Sequence, residues 1–192
     1  MIENEYKVML NEEEYKKIFE WGTVWKGIEQ INFYYYDEEE NVIKNNITIR
    51  VRSDSSKLYL QIKLPVYNCK SLHCTKEFQK EIKSLPYCIS GEEIKKMCGV
   101  DVGDVLLDGW LFTERNVCTK YEGIIICLDK NTYCGTTDYE LELELMDEKN
   151  VINVIDALKK IGIDFGEEVN GKFSRYTIRA KGNYKIKDDL KV

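Results

Sequence analysis

The stretch Tyr139-Glu140-Leu141-Glu142-Leu143-Glu144-Leu145 decides how the rest of the sequence is interpreted. Its acidic and apolar residues alternate with a period of two, which predicts a β-strand with three carboxylates on one face and leucines on the other. A single strand of this kind usually turns its charged face to water. The role of the carboxylates therefore depends on what the other strands present.

Other segments repeat this alternation, each with charged side chains on one face. The charged faces carry, in chain order, Glu3, Glu5 and Lys7; Arg50 and Arg52; and Lys63 beside Gln61. Like charges that are neighbours in a sheet repel, whereas carboxylates and bases gain by facing each other across an enclosed space. We therefore predict a barrel with its charged faces turned into a wet tunnel and its apolar faces beneath external helices.

Length and composition predict the general class of protein. The chain has 192 residues, which predicts one domain at 1–182 followed by a flexible, solvated C-terminal tail at 183–192. A formal net charge of -6 argues against a general nucleic-acid binder. No apolar run could cross a bilayer, and no basic region followed by an apolar stretch opens the chain, so we expect a cytoplasmic protein without membrane contact.

The cysteines and the single histidine exclude several kinds of site. Seven cysteines without a Cys-x-x-Cys spacing favour reduced thiols in apolar positions. Cys69, His73 and Cys74 make half of a zinc site, but a second Cys/His pair is missing. The sequence also lacks the glycine-rich loops that cradle phosphates in other folds. Any bound phosphate must therefore be held by side chains.

Three segments predict helices outside the strands. They run from Asn11 to about Trp21, stopped by Gly22; from Ser90 to near Gly99; and from about Val151 to Ile161, with Gly162 as C-terminal cap. Asn11 and Ser90 each stand three residues before a glutamate, which is the spacing of a capping box. The remaining chain is predicted to be mainly strand.

The predicted interior suits a metal ion and phosphate groups. Carboxylates are the hard oxygen ligands that Mg²⁺ or Mn²⁺ prefer, and these ions share their remaining positions with water and substrate phosphates. One arginine can bind two phosphate oxygens at once, and a lysine adds a point charge. Phosphoryl transfer needs positioning, charge neutralisation and an oriented nucleophile, which a metal-bound water beside a glutamate can be. This chemistry requires no histidine.

The order of these residues along the chain carries a family resemblance. A Glu-x-Glu-x-Lys signature, at Glu3-Asn4-Glu5-Tyr6-Lys7, is followed by Arg50 and Arg52, Lys63, Arg115, Asp129, the glutamates of 140–144, and a closing Lys172-Phe173-Ser174-Arg175. Over essentially its whole length the chain resembles the CYTH superfamily, the triphosphate tunnel metalloenzymes, and in particular its bacterial phosphohydrolases. The resemblance implies an α+β fold dominated by β structure: an eight-stranded antiparallel tunnel with helices packed outside.

The resemblance also implies roles for individual residues. The implied ligands for Mg²⁺ or Mn²⁺ are Glu3, Glu5, Glu140, Glu142 and Glu144. The implied triphosphate-binding residues are Lys7, Arg50, Arg52, Lys63, Arg115, Lys172 and Arg175. Within these sets the predicted catalytic residues are Glu5, Glu142, Lys7 and Arg52. Asp129 and Glu77 are the predicted further carboxylates of the tunnel.

Several positions keep alternative interpretations. Glu77 points inward only in one of two strand registers, since a slip of one residue turns it outward. Lys172 and Arg175 lie either in the phosphate cradle or on the surface, and Glu144 is either a metal ligand or a residue of the tunnel rim. The aromatic run Phe33-Tyr34-Tyr35-Tyr36 is either a base-stacking platform or a strand whose Phe33 and Tyr35 pack under a helix.

Two positions depart from the family pattern. Thr113 and Cys127 stand where many relatives carry basic residues, so this tunnel is less positive than theirs. The departures bear on the strength of triphosphate binding rather than on the fold.

Three functions fit this sequence. The first is metal-dependent hydrolysis of the terminal phosphate of inorganic tripolyphosphate or a small organic triphosphate such as thiamine triphosphate. The second is a class IV-type adenylyl cyclase. The third is a noncatalytic module that binds polyphosphate or nucleotide, although the intact glutamates argue against it. In each case the expected partner is a small triphosphate. The outer apolar faces are compatible with a homodimer.

Overall fold

Alternating segments of the chain form the strands of one sheet, and the capped segments form helices. The computed structural model describes residues 1–21, 24–54, 56–147 and 149–189, and the side chains at 68 and 183–189 lie outside that description. The strands are β1 (Ile2–Leu10), β2 (Lys26–Tyr36), β3 (Thr48–Asp54), β4 (Lys57–Cys69), β5 (Leu72–Ile82), β6 (Cys88–Ile89), β7 (Val105–Cys118), β8 (Ile124–Tyr133) and β9 (Thr136–Leu145). The helices are α1 (Glu12–Trp21), α2 (Asn41–Lys44), α3 (Gly91–Cys98), α4 (Val151–Lys160) and α5 (Lys172–Asp189).

Eight strands close into an antiparallel barrel. Their order is β2-β3-β4-β5-β1-β9-β8-β7, and β7 pairs with β2 to complete the circle. The short β6 pairs with the beginning of β7, where Ile89 lies opposite Val105. The eight-stranded antiparallel barrel predicted from the sequence is thus confirmed.

The barrel wall has its apolar residues outside. On one side, alternate residues of β3 and β4 such as Ile49 and Leu60 join a core with Ile94 of α3. On the other side, Leu141 and Leu143 of β9 pack with residues of α1 and α4, two of the predicted helices. Since side chains alternate across a strand, the charged residues between these apolar positions point into the barrel. The distribution predicted from the sequence is confirmed.

The three predicted helices form where their caps indicate. In α1, the backbone N–H of Glu14 donates to Asn11 Oδ1 at 2.9 Å, and the N–H of Asn11 donates to Glu14 Oε2 at 2.8 Å. In α3, the N–H of Glu93 donates to Ser90 Oγ at 3.2 Å, which completes one half of a capping box. After α4, Gly162 takes a φ of 91°, a left-handed conformation that glycine adopts without strain. Gly22, the predicted stop of α1, lies outside the described residues.

Two helices were not predicted from the sequence. One is α2, where the Asp37 carboxylate accepts hydrogen bonds from the N–H groups of Asn41 and Val42, each at 2.8 Å. α5 begins at the predicted phosphate-binding lysine and has Phe173, Tyr176 and Ala180 buried. The i, i+3, i+7 spacing of those three apolar residues was the signal for α5.

The C-terminal part of the chain is described only as far as α5. The backbone of α5 is helical to Asp189, while the side chains of 183–189 and residues 190–192 lie outside the description, so the flexible tail stays a prediction. No helix in the described ranges combines the length and the apolar composition needed to cross a membrane.

Candidate active site

The interior of the barrel holds a cavity of about 200 Å³. Ten of the residues predicted from the sequence line it: Glu3, Glu5, Lys7, Arg50, Arg52, Lys63, Arg115, Glu142, Glu144 and Lys172. The segment 168–174, which leads into α5, covers part of the same cavity. Four predicted residues lie outside this lining: Glu77, Asp129, Glu140 and Arg175, of which the last belongs to α5.

One group of carboxylates in the barrel consists of Glu3, Glu5 and Glu144. Their nearest carboxylate oxygens all lie within 4.8 Å of one another. The strand register explains the grouping, because Glu5 on β1 lies directly opposite Glu144 on β9 and Glu3 follows on the same face. Arg115 donates to Glu144 Oε1 at 3.1 Å. We call these three glutamates the open carboxylate group.

A second group consists of Asp129, Glu140 and Glu142, also within 4.8 Å of one another. Lys172 and Arg115 each contact two or more of its acids. Lys172 Nζ lies 2.9 Å from Asp129 Oδ2 and 2.9 Å from Glu142 Oε1, and it also contacts Glu140. Arg115 donates to both Asp129 oxygens, from Nε at 2.8 Å and from a terminal nitrogen at 2.7 Å, and contacts Glu142. We call these three acids the paired carboxylate group.

The two groups differ in electrostatics. In the paired group, burial alone would raise the pKa of Glu142, but Lys7 and Arg115 outweigh it and hold the pKa well below its usual range. In the open group, burial raises the pKa of Glu144, and the neighbouring charges of Glu142, Glu3 and Glu5 add to the effect although Arg115 opposes it. Among the described residues each acid of the open group pairs with one cation, with Arg115 lying 3.1 Å from Glu144. Each acid of the paired group contacts two or three cations, so the open group is the less neutralised of the two.

Two lysines join the open group to the rest of the lining. Lys7 Nζ lies 2.8 Å from Glu5 Oε1 and 2.8 Å from Glu142 Oε1, so it bridges the two groups. Lys63 pairs with Glu3 and lies 3.4 Å from Glu77. Burial of Glu3 is outweighed mainly by Lys63, and its pKa falls to about 2. Glu77 lies opposite Lys63 in the β4–β5 ladder and shares its inward face.

Arg50 and Arg52 differ from the other cations of the lining because neutral amides hold them. Arg50 Nε donates to Gln61 Oε1 at 2.8 Å, and Arg52 Nε donates to Asn32 Oδ1 at 3.0 Å. Among the described residues no carboxylate forms a salt bridge with either arginine. Burial lowers the pKa of Arg52 to about 10, and the nearby charges of Arg50 and Arg115 contribute. This part of the cavity therefore holds uncompensated positive charge.

Arg175 holds α5 against the barrel rather than lining the cavity. Its Nε donates to Asp138 Oδ2 at 2.9 Å, and a terminal nitrogen donates to the backbone oxygen of Asn170 at 2.6 Å. Another terminal nitrogen contacts Glu140. Asp138 was not predicted as a site residue, although it continues the alternation of 140, 142 and 144 by one step along β9.

The two departures from the family pattern are both buried in the barrel wall. Thr113 Oγ1 donates to Asn131 Oδ1 at 2.8 Å. Cys127 Sγ lies 3.6 Å from Glu144 Oε1, and burial raises the pKa of its thiol well above the usual value, which keeps it neutral. All seven cysteines are unpaired, and none belongs to either carboxylate group. Neither Thr113 nor Cys127 adds positive charge to the tunnel.

The fold and its lining define a class of protein in which the interior of a closed antiparallel barrel carries the ionisable groups. The family model for the CYTH domain matches residues 1–176. The chain therefore belongs to the CYTH domain family, as its sequence resemblance indicated. No curated protein sequence matches the chain.

Solved structures share this fold at low sequence identity. HpAC1 from Hippeastrum, a proposed adenylyl cyclase with a dominant triphosphatase activity, has a TM-score of 0.74 at 20% identity, over 92% of this chain and 95% of its own. A proposed adenylate cyclase from Bacillus halodurans has a TM-score of 0.71 at 20% identity, over 90% of this chain and 95% of its own. The PH1819 protein from Pyrococcus horikoshii has a TM-score of 0.62 at 16% identity, over 93% and 98%. These similarities support the fold described above.

Proposed function

We propose that this protein is a divalent-metal-dependent triphosphatase that hydrolyses the terminal phosphate of inorganic tripolyphosphate or of a small organic triphosphate. The observation that carries the proposal is that one cavity holds both a carboxylate group with a single cation partner per acid and two arginines that have no carboxylate partner among the described residues. The first attracts a metal cation and the second attracts phosphate oxygens. A metal–triphosphate complex supplies both charges at once.

The open carboxylate group fits a divalent metal. Glu3, Glu5 and Glu144 offer three oxygen ligands within 4.8 Å of one another, the ligand type that Mg²⁺ and Mn²⁺ prefer. The raised pKa of Glu144, which burial and its acidic neighbours produce, is the charge imbalance that a cation would relieve. When bound there, the ion would neutralise phosphate charge and lower the pKa of a bound water.

The paired carboxylate group supports a different role from the one predicted. Glu140 and Glu142 were predicted as metal ligands, but each contacts more than one cation. Lys172 contacts both, Arg175 also contacts Glu140, and Lys7 and Arg115 also contact Glu142. We propose that these two glutamates position the cations of the cavity, while the metal is left to the open group. A buried charge without a partner costs several kcal/mol, so this pairing is expected to persist when substrate binds.

The arginines and the lysines of the cavity contribute to substrate binding in different ways. Arg50 and Arg52 are each held through Nε, and no hydrogen bond to another described residue occupies their terminal N–H groups. Each of these groups can therefore bind two phosphate oxygens at once. Lys7 and Lys63 add positive charge beside the open carboxylate group. In the proposed reaction a water oxygen bonds to the terminal phosphorus, the bridging P–O bond breaks, and orthophosphate and a diphosphate leave.

An assay of products with three substrates tests the proposal. Purified protein is incubated with tripolyphosphate, thiamine triphosphate or ATP, with Mg²⁺ or Mn²⁺ or with a chelator, and orthophosphate, pyrophosphate and cyclic AMP are measured. We expect metal-dependent orthophosphate release that Glu5→Ala abolishes. The matched control is Glu81→Ala, which removes an exposed glutamate whose carboxylate lies 3.1 Å from Lys57 and should retain activity.

Two outcomes of the same assay would overturn the proposal. Both activities named for the solved structures, cyclase and triphosphatase, begin from a triphosphate, so ATP serves as substrate for either. Pyrophosphate and cyclic AMP from ATP would identify a cyclase instead. Binding of triphosphates without turnover under any metal would identify a noncatalytic module.

A further inference from the structure

Two buried polar groups on β2 lack hydrogen-bond partners within the described part of the chain. They are the Tyr34 hydroxyl and the Asn32 Nδ2 amide nitrogen. Both side chains are only 1% exposed. A buried donor without an acceptor loses its hydrogen bond to water and gains none in return, which costs about 1–3 kcal/mol. Such groups call for a physical explanation when they stand beside a binding cavity.

Both groups stand on the inward face of β2, opposite the two arginines that lack carboxylate partners. Tyr34 lies opposite Arg50 in the β2–β3 ladder, and Asn32 lies opposite Arg52. The orientation of the Asn32 amide follows from chemistry, because Arg52 Nε can only donate and therefore faces the amide oxygen. The amide nitrogen then turns away from Arg52 with two N–H groups unused.

Tyr34 is a residue of the cavity wall whose ring is held in place by α5. The ring packs against Phe173 and Tyr176 of α5, with centroid distances of 5.1 and 5.0 Å. Tyr34 is also part of the cavity lining. Burial raises the pKa of the phenol, although Arg50 and Arg52 oppose this, so the group is neutral at physiological pH and keeps its proton. A neutral phenol can donate its O–H, and guanidinium groups have no acceptor, so Arg50 and Arg52 cannot take this hydrogen bond.

We propose that the Tyr34 hydroxyl donates a hydrogen bond to a phosphoryl oxygen of the substrate that Arg50 and Arg52 hold, with the Asn32 amide as a second neutral donor beside it. The inference rests on the proposed function, because it presupposes a phosphate in this cavity. The phosphate supplies the acceptor that the described residues do not. Tyr34 is thereby a substrate-binding residue.

The neighbouring tyrosine provides a matched control. Tyr35 is as deeply buried as Tyr34, but its side chain points to the other face of β2, where the hydroxyl donates to the backbone oxygen of Pro86 at 2.6 Å. Tyr34→Phe removes an unused donor, whereas Tyr35→Phe removes a formed hydrogen bond and leaves a carbonyl without its partner. The two substitutions delete the same atom from adjacent residues.

Calorimetric titration of tripolyphosphate into each protein tests the inference. The buffer contains a chelator, which removes divalent metal and so prevents turnover. We expect Tyr34→Phe to weaken binding roughly 10- to 100-fold, the value of one hydrogen bond to a charged group, and Tyr35→Phe to leave it within about twofold. The order of the two variants should be reversed for thermal stability. The melting temperature of Tyr34→Phe should equal or exceed that of wild type, and that of Tyr35→Phe should be lower than wild type. In steady-state assays with metal, Tyr34→Phe should raise KM for tripolyphosphate.

The outcomes separate this inference from the proposed function. If wild-type protein binds and hydrolyses tripolyphosphate and Tyr34→Phe binds it equally well, the inference is wrong while the triphosphatase proposal stands. If Tyr34→Phe lowers the melting temperature as much as Tyr35→Phe and leaves affinity unchanged, the hydroxyl has a structural partner and the inference is wrong. If wild-type protein binds no tripolyphosphate with or without metal, both proposals fail together.

Discussion

Replacing Asp129 with asparagine tests whether the paired carboxylate group holds the barrel together from inside. Asp129 is 0% exposed and accepts two hydrogen bonds from Arg115, at 2.8 and 2.7 Å, while Lys172 Nζ lies 2.9 Å away. Asparagine keeps the shape of the side chain but removes the negative charge and turns one acceptor into a donor that faces cations.

The expected loss follows from these contacts. Hydrogen bonds to charged groups contribute about 1.5–3 kcal/mol each, and asparagine can retain one of the three contacts. Glu140 and Glu142 still neutralise part of the charge on Lys172 and Arg115. Removing one partner from a buried ion pair costs about 3–5 kcal/mol, and we expect Asp129→Asn to fall in that range.

Urea unfolding at neutral pH, followed by far-ultraviolet circular dichroism, measures the change in the free energy of unfolding. The control is Glu81→Gln, which breaks a salt bridge of the same type between side chains that are each 56% exposed. An exposed pair contributes less than about 1 kcal/mol, so the control should unfold at nearly the wild-type midpoint. A loss below about 1 kcal/mol for Asp129→Asn would refute the reasoning, because Asp129 would then be replaceable by a neutral amide.

Three further predictions concern the metal, the pH dependence and the phosphate cradle. Glu144→Gln should weaken Mn²⁺ binding by roughly 100-fold in calorimetry without substrate, whereas Glu140→Gln should change it little; the reverse order would place the metal in the paired group. The pKa of Glu3 is about 2 in the folded protein, below its unfolded value, so its contribution to stability is present above about pH 4.5 and is lost as the pH falls toward 2. Lys63→Met should therefore cost about 2 kcal/mol in urea unfolding at pH 7 and progressively less below pH 4, and a cost independent of pH would contradict this cause. Arg52→Met should weaken tripolyphosphate binding roughly 10- to 100-fold, and unchanged affinity would remove that arginine from the cradle.

The barrel and the direction of its charges could be predicted from the sequence because the period of two acts locally. A strand with Glu140, Glu142 and Glu144 on one face and leucines on the other has one stable arrangement once helices cover the apolar side. The capping residues of α1 and α3 are equally local signals. The local signal for α5 is weaker, because three apolar residues, Phe173, Tyr176 and Ala180, stand among several charged ones.

The sequence by itself determined which residues enter the barrel, because alternation along each strand is set by neighbouring residues. The tertiary structure decided which of them meet, because that depends on the register between strands distant in sequence. The β1–β9 register places Glu5 opposite Glu144 and Lys7 opposite Glu142, which separates the open group from the paired one. The β2–β3 and β3–β4 registers give Arg52 and Arg50 neutral amide partners instead of carboxylates. A shift of two residues would preserve every inward face and still exchange these partners, so no pattern within one strand contains this information.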